Sequence, residues 1–493
     1  MAQDDDPLIS IITVNYNGRQ FLYNLFNSLL NLNYPKEKIQ IIIVDNGSTD
    51  GSIDFVGKIF PQVEVISLPE NLGYAGGNNE GFKKAEGRYI ALVNNDCVVK
   101  RDWLREMVNI FKQSSKDSHI GAVSSRVVFL HPYLPLEFMA ESATSGELKK
   151  GRGSRRLGVN ISHVKICQEK IISNKSSNTG NSKNYSNGNN QNSSKEYCNG
   201  GVLYGDVKYL DGFYPPSSDR EGNINYWTQN NAILAVPIFD MGKDMYLEFE
   251  VSSYISPNSL KIVVGEEIIY DSKVNKSKKR VEVKIPRTFF VHKKDIINSC
   301  GVKINKYFYS RDRGFLRFDE GQYGRVEEIF APSGSSLLIE REMLEDIGYF
   351  DESFFTYYED IDLFWRARLR GWKVFFTPNS IARHVHCGTS KEWSYSFTYH
   401  VLRNRLLAIY KCGWPMLFLK SYCAFVLSSI VNIFIVIGSA LAGKKQNRID
   451  IPIRIRVFFE LFYLLIKNSG KRFRVRTGGR VSDNDIKSWI RSF

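Results

Sequence analysis

Three acidic residues that open a predicted helix are the side chains in this sequence best suited to chemistry. Glu359, Asp360 and Asp362 stand at the start of residues 354–373, FFTYYEDIDLFWRARLRGWK, in which apolar residues recur at helical spacing. At a helix start, the helix dipole and free N–H groups favour the ionised carboxylate. The three carboxylates could therefore include a general base, or they could only cap the helix.

A second group of polar residues follows apolar runs typical of strands. The runs at residues 8–17, 39–44 and 89–93 are separated by helical patterns, which predicts a parallel α/β sheet with its ligand site at the strands' carboxyl ends. The polar residues at these ends are Asn15, Asp45, Asn46, Asn94, Asn95 and Asp96. Asp45 could accept hydrogen bonds from a nucleotide, or it could form an Asx-type turn.

Two further motifs are consistent with a site for a diphosphate and a divalent cation. The glycine-rich stretch 71–81, NLGYAGGNNEG, includes Asn71, Gly73, Gly77 and Asn78 and would allow a diphosphate to approach the backbone, although such turns also occur without ligands. The oxygen-bearing residues 94–96 suit Mg²⁺ or Mn²⁺, or they form only a polar strand end.

Two histidines alternate at a predicted strand end. Either His384 or His386 could complete the coordination that Asp96 begins, and the alternative is a structural role.

Length, charge and cysteine content limit the class of protein. A chain of 493 residues exceeds one ordinary core, and its seven scattered cysteines fit neither a disulfide framework nor a zinc knuckle. The cysteine pattern fits a reducing cytosol best. No secretion is expected, because the start MAQDDDPL is unlike a signal peptide. Residues 401–493 carry 17 Lys and Arg against 4 Asp and Glu, so that +13 of the net charge of +14 lies there. Because this charge alternates with apolar runs, it favours an anionic membrane over nucleic acid.

The middle of the chain has a different pattern. Residues 173–201 are Asn, Ser, Gly and Lys of low complexity, which predicts a flexible linker, and residues 210–290 alternate with period two, which predicts an inserted antiparallel β module. The predicted divisions are 1–133 and 296–412 for two halves of an α/β domain, 134–201 for an irregular linker, 202–295 for the β module and 413–493 for membrane-associated helices.

Together these motifs resemble the family 2 glycosyltransferases, especially their rhamnosyltransferase-like branch. The motifs that carry the resemblance, over residues 8–133 and 296–412, are VNYNG, VDNGSTDGS, NLGYAGGNNEG, VNND, FDESFFTYYEDIDLFWRARLRGW, ARHVHCGTS and YHVLRNRLL. The resemblance implies a GT-A fold, a nucleotide-sugar donor, a divalent cation and inversion at the anomeric carbon.

Within that resemblance, individual residues take on expected roles. Asp45 would contact the nucleoside and Asp96 the metal, with His384 or His386 beside it, and Asp360 would be the catalytic base next to Glu359. Asn94 replaces the first acid of the DxD motif common in the family, which leaves one charged ligand at the expected metal site.

The sequence therefore predicts a transferase at the cytoplasmic face of a membrane. A sugar would pass from a nucleotide-diphosphate donor to a glycan or lipid-linked acceptor, and Arg403 or Arg405 would help to stabilise the leaving diphosphate. Two alternatives stay open: a sugar-phosphate nucleotidyltransferase and a non-catalytic sugar-binding protein of the membrane. The sequence does not indicate an oligomeric state.

The apolar segment 421–443 is long enough to span a bilayer, but positive charge flanks it on both sides. We therefore expect helices that lie in or dip into the cytoplasmic leaflet. Packing of this segment against the catalytic domain is the alternative.

Overall fold

The computed structural model of the protein describes residues 6–114, 118–144, 155–168, 197–198, 201–202, 206–218, 223–386, 394–441 and 450–490. The chain divides into two compact units. Unit 1 contains Met1–Val128, Ile297–Phe315 and Gly321–Phe493, and unit 2 contains Phe129–Ile296 and Leu316–Glu320.

The N-terminal part of unit 1 alternates strands with helices, as the sequence predicts. Its elements are β1 (Ile9–Asn15), α1 (Arg19–Leu30), β2 (Ile39–Asp45), α2 (Ser52–Ile59), β3 (Glu64–Ser67), α3 (Gly73–Lys84), β4 (Tyr89–Val93), β5 (Cys97–Val99), α4 (Trp103–Gln113) and β6 (Ile120–Phe129), whose last residue lies in unit 2.

Unit 2 is a β sandwich. Its strands are β7 (Tyr133–Met139), β8 (Val159–Cys167), β9 (Tyr197–Cys198), β10 (Gly201–Val202), β11 (Lys208–Tyr209), β12 (Ser217–Ser218), β13 (Ile224–Trp227), β14 (Asn231–Pro237), β15 (Met245–Ser253), β16 (Asn258–Val264), β17 (Glu267–Val274) and β18 (Lys279–Ile285). In the described part of the chain, two five-stranded sheets, β11-β14-β7-β16-β17 and β12-β13-β8-β15-β18, share one apolar core that includes Phe138 and Phe249.

The predicted all-β insertion is confirmed, but the irregular segment predicted for 134–201 is wrong where β7 and β8 lie. Buried and more exposed residues alternate in YLPLEFM, and Leu134, Leu136 and Phe138 are buried. This alternating stretch is too short to be distinguished from the polar residues that follow it. Most of the low-complexity stretch 173–201, including the predicted linker, lies outside the described residues.

The chain returns to unit 1 with short strands and then helices. The elements are β19 (Ile297–Ser299), β20 (Val302–Ile304), β21 (Ser310–Asp312), β22 (Glu327–Glu328), β23 (Ser336–Glu340), α5 (Arg341–Ile347), α6 (Glu359–Leu369), β24 (Lys373–His384), α7 (Tyr395–Cys412), α8 (Pro415–Leu441), α9 (Asp450–Lys467), α10 (Ser469–Thr477) and α11 (Asp483–Lys487).

A mixed sheet forms the centre of unit 1. Among the described residues it has ten strands, in which β3, β2, β1 and β4 are parallel neighbours and β23 runs antiparallel to β4. Side chains of α1 and α4 pack in one apolar cluster, and those of α3, α6 and α7 pack in another. The predicted α/β class, with its mostly parallel sheet, is therefore confirmed.

The C-terminal helices differ in how much apolar surface they bury. Residues Pro415–Gly438 of α8 have a mean hydropathy of 2.0, and only 11% of the most apolar window is buried, so this helix is long and apolar enough to cross a membrane. Helices α9 and α10 pack on α7, and Leu464 of α9 belongs to the main core of unit 1. The expected alternative, packing of α8 into the catalytic domain, does not fit this exposure.

Candidate active site

The acidic turn lies where the sequence places it, at the first residues of α6. Three residues before the helix, Phe355, Tyr357 and Tyr358, have φ angles of 62°, 64° and 69°, which are rare for side chains of this size. Such backbone strain persists only where the surroundings fix it, and it is concentrated at functional sites. The strained loop directly precedes Glu359 and Asp360.

Asn404 of α7 holds this strained loop. Its Nδ2 atom donates to the carbonyl oxygens of Phe354, Thr356 and Tyr357 at 2.8, 2.8 and 2.7 Å, and the side chain is fully buried. Asn404 was not predicted from the sequence, although it lies in the YHVLRNRLL motif. An asparagine among apolar helix residues was the available signal.

Burial determines the charge state of the acidic pair. Burial and the neighbouring Asp360 carboxylate raise the pKa of Glu359 well above its usual range. Burial also raises the pKa of Asp360 to about 6, with Asp312 adding to the effect, although the N–H groups of Ile361 and Gly334 oppose it. The expectation that the helix start keeps both acids readily ionised is therefore wrong, because removal from water outweighs the dipole.

The two oxygens of Asp360 have different hydrogen bonds. Oδ1 accepts from the Ile361 N–H at 2.7 Å, and Oδ2 accepts a longer bond from the Gly334 N–H at 3.3 Å. The more weakly bonded Oδ2 is the better placed atom to accept a proton. Asp362, the third acid, is fully buried and pairs with Arg366 and Lys411, so its role is structural.

A chain of polar contacts links the turn after β4 to the end of β24. Asp96 Oδ1 lies 3.1 Å from His384 Nε2, and His384 Nδ1 lies 3.1 Å from Asn298 Oδ1. The Asn298 Nδ2 atom in turn lies 3.0 Å from His386 Nδ1. Asn298 therefore fixes the orientation of both histidines, a role that the sequence analysis missed.

Asp96 and His384, hereafter the Asp96 group, offer ligands suited to a hard divalent cation. Burial disfavours a charged His384, but the Asp96 carboxylate outweighs this effect and raises the pKa of His384. A cation bound between Asp96 and His384 would replace that proton. Cys97 also lies within reach, but burial raises its thiol pKa well above the usual range, which leaves a neutral thiol unsuited to Mg²⁺ or Mn²⁺.

One cavity of about 710 Å³ brings the acidic pair and the Asp96 group together. Its wall includes Glu359, Asp360, Asp96, His384 and His386, and also the predicted donor-binding residues Asn46, Asn71, Gly73, Asn94 and Asn95. Sequence reasoning missed Tyr74, Arg311, Asp312 and Ser335, which also line it. Arg311 and Asp312 lie on the short strand β21, which has no pattern that would single it out.

Asn15 and Asp45 support the cavity from behind its wall. Asp45 is 1% exposed, and its oxygens accept hydrogen bonds from the Asn15 side chain at 3.1 Å and from the Ser48 N–H at 2.9 Å. Asn15 Oδ1 accepts from Asn95 at 2.8 Å. These are the bonds of an Asx-type turn, and contact of Asp45 with a nucleotide stays a prediction.

The glycine-rich stretch has a packing function at two of the predicted positions. A Cβ atom on Gly77 would lie 2.7 Å from Val14 Cγ1, so this glycine allows α3 to pack closely on β1. Asn78 is 1% exposed and donates to the Tyr74 carbonyl within the helix at 2.8 Å. Neither residue is in the cavity wall, in contrast to the predicted contact with a diphosphate.

Arg403 and Arg405 also lie outside the cavity wall. Arg403 donates to Glu460 Oε1 at 3.0 Å and to the Ser353 carbonyl at 2.7 Å, and Arg405 donates to the Tyr307 carbonyl at 2.6 Å. These bonds hold the two guanidinium groups in the protein interior, so their placement does not support the predicted role at the diphosphate. Arg311, which is exposed and lines the cavity, is a basic group within the site.

Sequence comparison identifies two family matches in unit 1 and the adjoining strands. The profile of Glycosyl transferase family 2 matches residues 10–174, and that of Glycosyltransferase like family 2 matches residues 307–404. Together they cover just over half of the chain, including both the Asp96 group and the acidic pair.

Curated relatives match the N-terminal part of the chain. A protein of Bacillus subtilis named as a teichuronic acid biosynthesis glycosyltransferase, TuaG, is 35% identical over 112 residues, which are 22% of this chain and 44% of TuaG. The poly(ribitol-phosphate) beta-glucosyltransferase of Bacillus spizizenii is 34% identical over 117 residues, 23% of this chain and 18% of that protein. The matched segments are thus less than half of these relatives' lengths.

A solved structure shows a weaker likeness. The mannosyltransferase PcManGT of Pyrobaculum calidifontis, in complex with GDP-Man and Mn²⁺, is 12% identical with a TM-score of 0.36, over 95% of this chain and 88% of that one. This similarity is too low to extend its ligands to the present protein.

Proposed function

We propose that this chain, which matches two family 2 glycosyltransferase models over residues 10–174 and 307–404, transfers a sugar from a nucleoside diphosphate to an acceptor hydroxyl with inversion at the anomeric carbon. The observation that carries the proposal is the shared cavity, in which Asp360 and the Asp96–His384 pair line one space of about 710 Å³. A base for the acceptor and a site for the donor's diphosphate are the two parts that a single displacement requires.

In the proposed reaction, Asp360 removes the proton from the acceptor hydroxyl. The acceptor oxygen forms a bond to the anomeric carbon while the bond from that carbon to the diphosphate oxygen breaks, and the diphosphate leaves with the electron pair. With a pKa of about 6, Asp360 is mostly ionised at pH 7 and still basic enough to accept a proton. Burial and the Asp360 carboxylate raise the pKa of Glu359 and so favour its protonated form.

Asp96 and His384 are proposed to hold a divalent cation, with Asn94 beside them. The cation would neutralise charge on the leaving diphosphate. Asn298 keeps the His384 ring in place, and Arg311 contributes positive charge from the cavity wall. Asn46 and Asn71 line the part of the cavity in which the nucleotide is proposed to lie.

The acceptor is proposed to be a glycan or lipid-linked molecule in cell-surface glycan synthesis. Two relatives are named for teichuronic acid and poly(ribitol-phosphate), both of which are cell-wall polymers. The exposed apolar surface of α8 supports a location at a membrane, and we propose its cytoplasmic face. The sequence motifs resemble rhamnosyltransferases, so a rhamnose donor is among the first to test.

Mass-spectrometric screening tests the proposal. Purified protein is incubated with rhamnose, glucose and N-acetylglucosamine nucleotide donors and a cell-wall polymer fragment, and the product mass is recorded. Asp360→Asn should bind the donor nucleotide normally and lose transfer roughly 10²–10⁴-fold. Transfer by Asp360→Asn at a near wild-type rate would show that another group is the base.

The same screen separates the alternatives. Synthesis of a nucleotide sugar from a sugar phosphate would identify a nucleotidyltransferase. Binding of donor without turnover by the wild-type protein would identify a sugar-binding protein.

A further inference from the structure

A second cavity of unit 1, of about 740 Å³, lies apart from the residues of the proposed reaction. It is bordered by the end of α5, the C-terminal end of α6, the last turn of α9 and helix α10. Six basic side chains line it, namely Arg366, Arg370, Lys411, Lys467, Lys471 and Arg474, against three acidic ones.

Internal partners account for all three acids. Asp346 accepts from Arg370 and, at 2.8 Å, from Trp372 Nε1. Asp351 pairs with Lys411 at 2.6 Å and with Lys471 at 2.7 Å, and Glu352 accepts from Asn79 at 2.9 Å.

The basic side chains that line the cavity outnumber the acidic ones that could neutralise them. Among the described residues, no carboxylate lies within ion-pair distance of Lys467 or Arg474, and both side chains are exposed. The cavity thus has a net positive charge, located on its α9 and α10 side.

Exposed apolar side chains stand beside these two cations. Ile466 is 77% exposed and Tyr463 is 62% exposed in the last turns of α9, and Phe473 is 69% exposed on α10. A soluble anion would not contact these apolar side chains. A molecule with a phosphate head and an apolar tail would contact both the cations and the apolar side chains. Basic and aromatic residues at a helix end are also typical of a protein surface at a bilayer interface.

We propose that this cavity binds the phosphate headgroup of an anionic phospholipid, with Lys467 and Arg474 contacting the phosphate. The lipid's apolar chains then lie along Ile466 and Phe473. This site is independent of the sugar-transfer reaction, because neither residue lines the catalytic cavity.

Calorimetric titration of the detergent-solubilised full chain tests this site. The probe is dioctanoyl phosphatidic acid, with dioctanoyl phosphatidylcholine as the neutral lipid and inorganic pyrophosphate as the soluble anion. We expect saturable binding of phosphatidic acid, no binding of phosphatidylcholine, and at least roughly tenfold weaker binding of phosphatidic acid to the double variant Lys467→Gln, Arg474→Gln.

A matched double variant, Lys420→Gln with Lys487→Gln, removes two exposed charges of the same C-terminal region that do not line the cavity. It should bind phosphatidic acid as the wild type does. Equal weakening in both double variants would show a general charge effect and overturn the site. Pyrophosphate binding that is as tight as that of phosphatidic acid and is weakened in the Lys467→Gln, Arg474→Gln variant would identify a soluble-anion site and overturn the lipid assignment. Pyrophosphate binding that this variant leaves unchanged belongs to the proposed diphosphate site of the catalytic cavity, so the comparison separates the two proposals.

Discussion

At the scale of single residues, Asp360 combines a raised pKa with a place in the cavity wall. Since the base must be ionised, kcat should rise with pH through about 6 and level off above it. The measurement is kcat against pH from 5 to 8 at saturating donor, with Asp312→Asn as a second protein. Removing the Asp312 carboxylate should lower the apparent pKa, because its charge raises the pKa of Asp360, and a rate independent of pH in this range would contradict the assignment.

Asp96 is the residue on which cation binding should depend. Asp96→Ala should weaken both Mn²⁺ and nucleoside-diphosphate binding, because the cation bridges the protein and the diphosphate. Cys97→Ser is the matched control, since the neutral thiol is not expected to be a ligand. Binding constants from titration of both proteins decide the point. Transfer that persists in EDTA would instead indicate that basic residues such as Arg311 stabilise the leaving diphosphate.

The sequence identified these residues because each is in a local motif. Glu359 and Asp360 open a helix, and Asp96 follows a buried strand, so neighbours along the chain were sufficient. The charge state of the acids was not predictable, because it depends on burial by residues distant in sequence. For the same reason Asn298 and Asn404 were missed, since their bonds to His384 and to the strained loop join segments far apart in the chain.

At the scale of elements, α7 fixes α6 and the turn before it through one buried lysine. Lys411 is 2% exposed and pairs with Asp351 at 2.6 Å and Asp362 at 2.7 Å. Burial would raise the pKa of Asp351, but Lys411 and Lys471 outweigh burial and hold it well below its usual range. This contribution to stability is present at neutral pH and is lost as the pH falls through the acid range.

Replacing this lysine should strongly destabilise the fold. Lys411→Met leaves two buried carboxylates without their shared cation, and we expect a loss of roughly 3–5 kcal/mol in the free energy of unfolding. Lys420→Met, an exposed position on α8, is the control and should change stability little. Chemical denaturation of both variants measures the difference. Equal stability of the two would show that the buried pair is not important for α6 and α7.

The elements of unit 1 were largely predictable, whereas those at the start of unit 2 were not. Strands β1, β2 and β4 are continuous apolar runs that the sequence displays directly. In strands β7 and β8, apolar and polar residues alternate only briefly before polar segments follow. The place of these strands in the two sheets depends on partners such as β14, β15 and β16, which lie much later in the chain.

At the scale of the whole chain, the C-terminal helices differ in how they pack. The sequence predicts one membrane-associated region over residues 413–493, but α9 to α11 complete unit 1. Glu460 bonds to Arg403, Lys471 bonds to Asp351, and Ile486 is 1% exposed in the core. A protein that ends at Pro415 should therefore lose stability, because it lacks these contacts.

Membrane association should depend on the exposed side chains of α8. With 27 residues the helix is about 40 Å long, which exceeds a hydrocarbon core of about 30 Å, and Leu427, Phe434 and Ile437 are 64%, 69% and 51% exposed. Changing these three residues to Ser should move the protein from the membrane fraction toward the soluble fraction at low salt.

The matched control changes Met241, Ile268 and Val291 of unit 2, which are also exposed, to Ser. Its distribution should equal that of the wild type. Wild-type protein that is found in the soluble fraction at low salt would refute membrane association. A C-terminal tag accessible only from outside the cell would refute the cytoplasmic orientation.

Proton NMR of the first product formed tests the proposed mechanism most directly. The anomeric coupling constant is compared between the product and the donor of known configuration that the mass-spectrometric screen identifies. A single displacement with Asp360 as base predicts an inverted anomeric centre in the initial product. A retained configuration would contradict the mechanism, because it requires a second step at the same carbon.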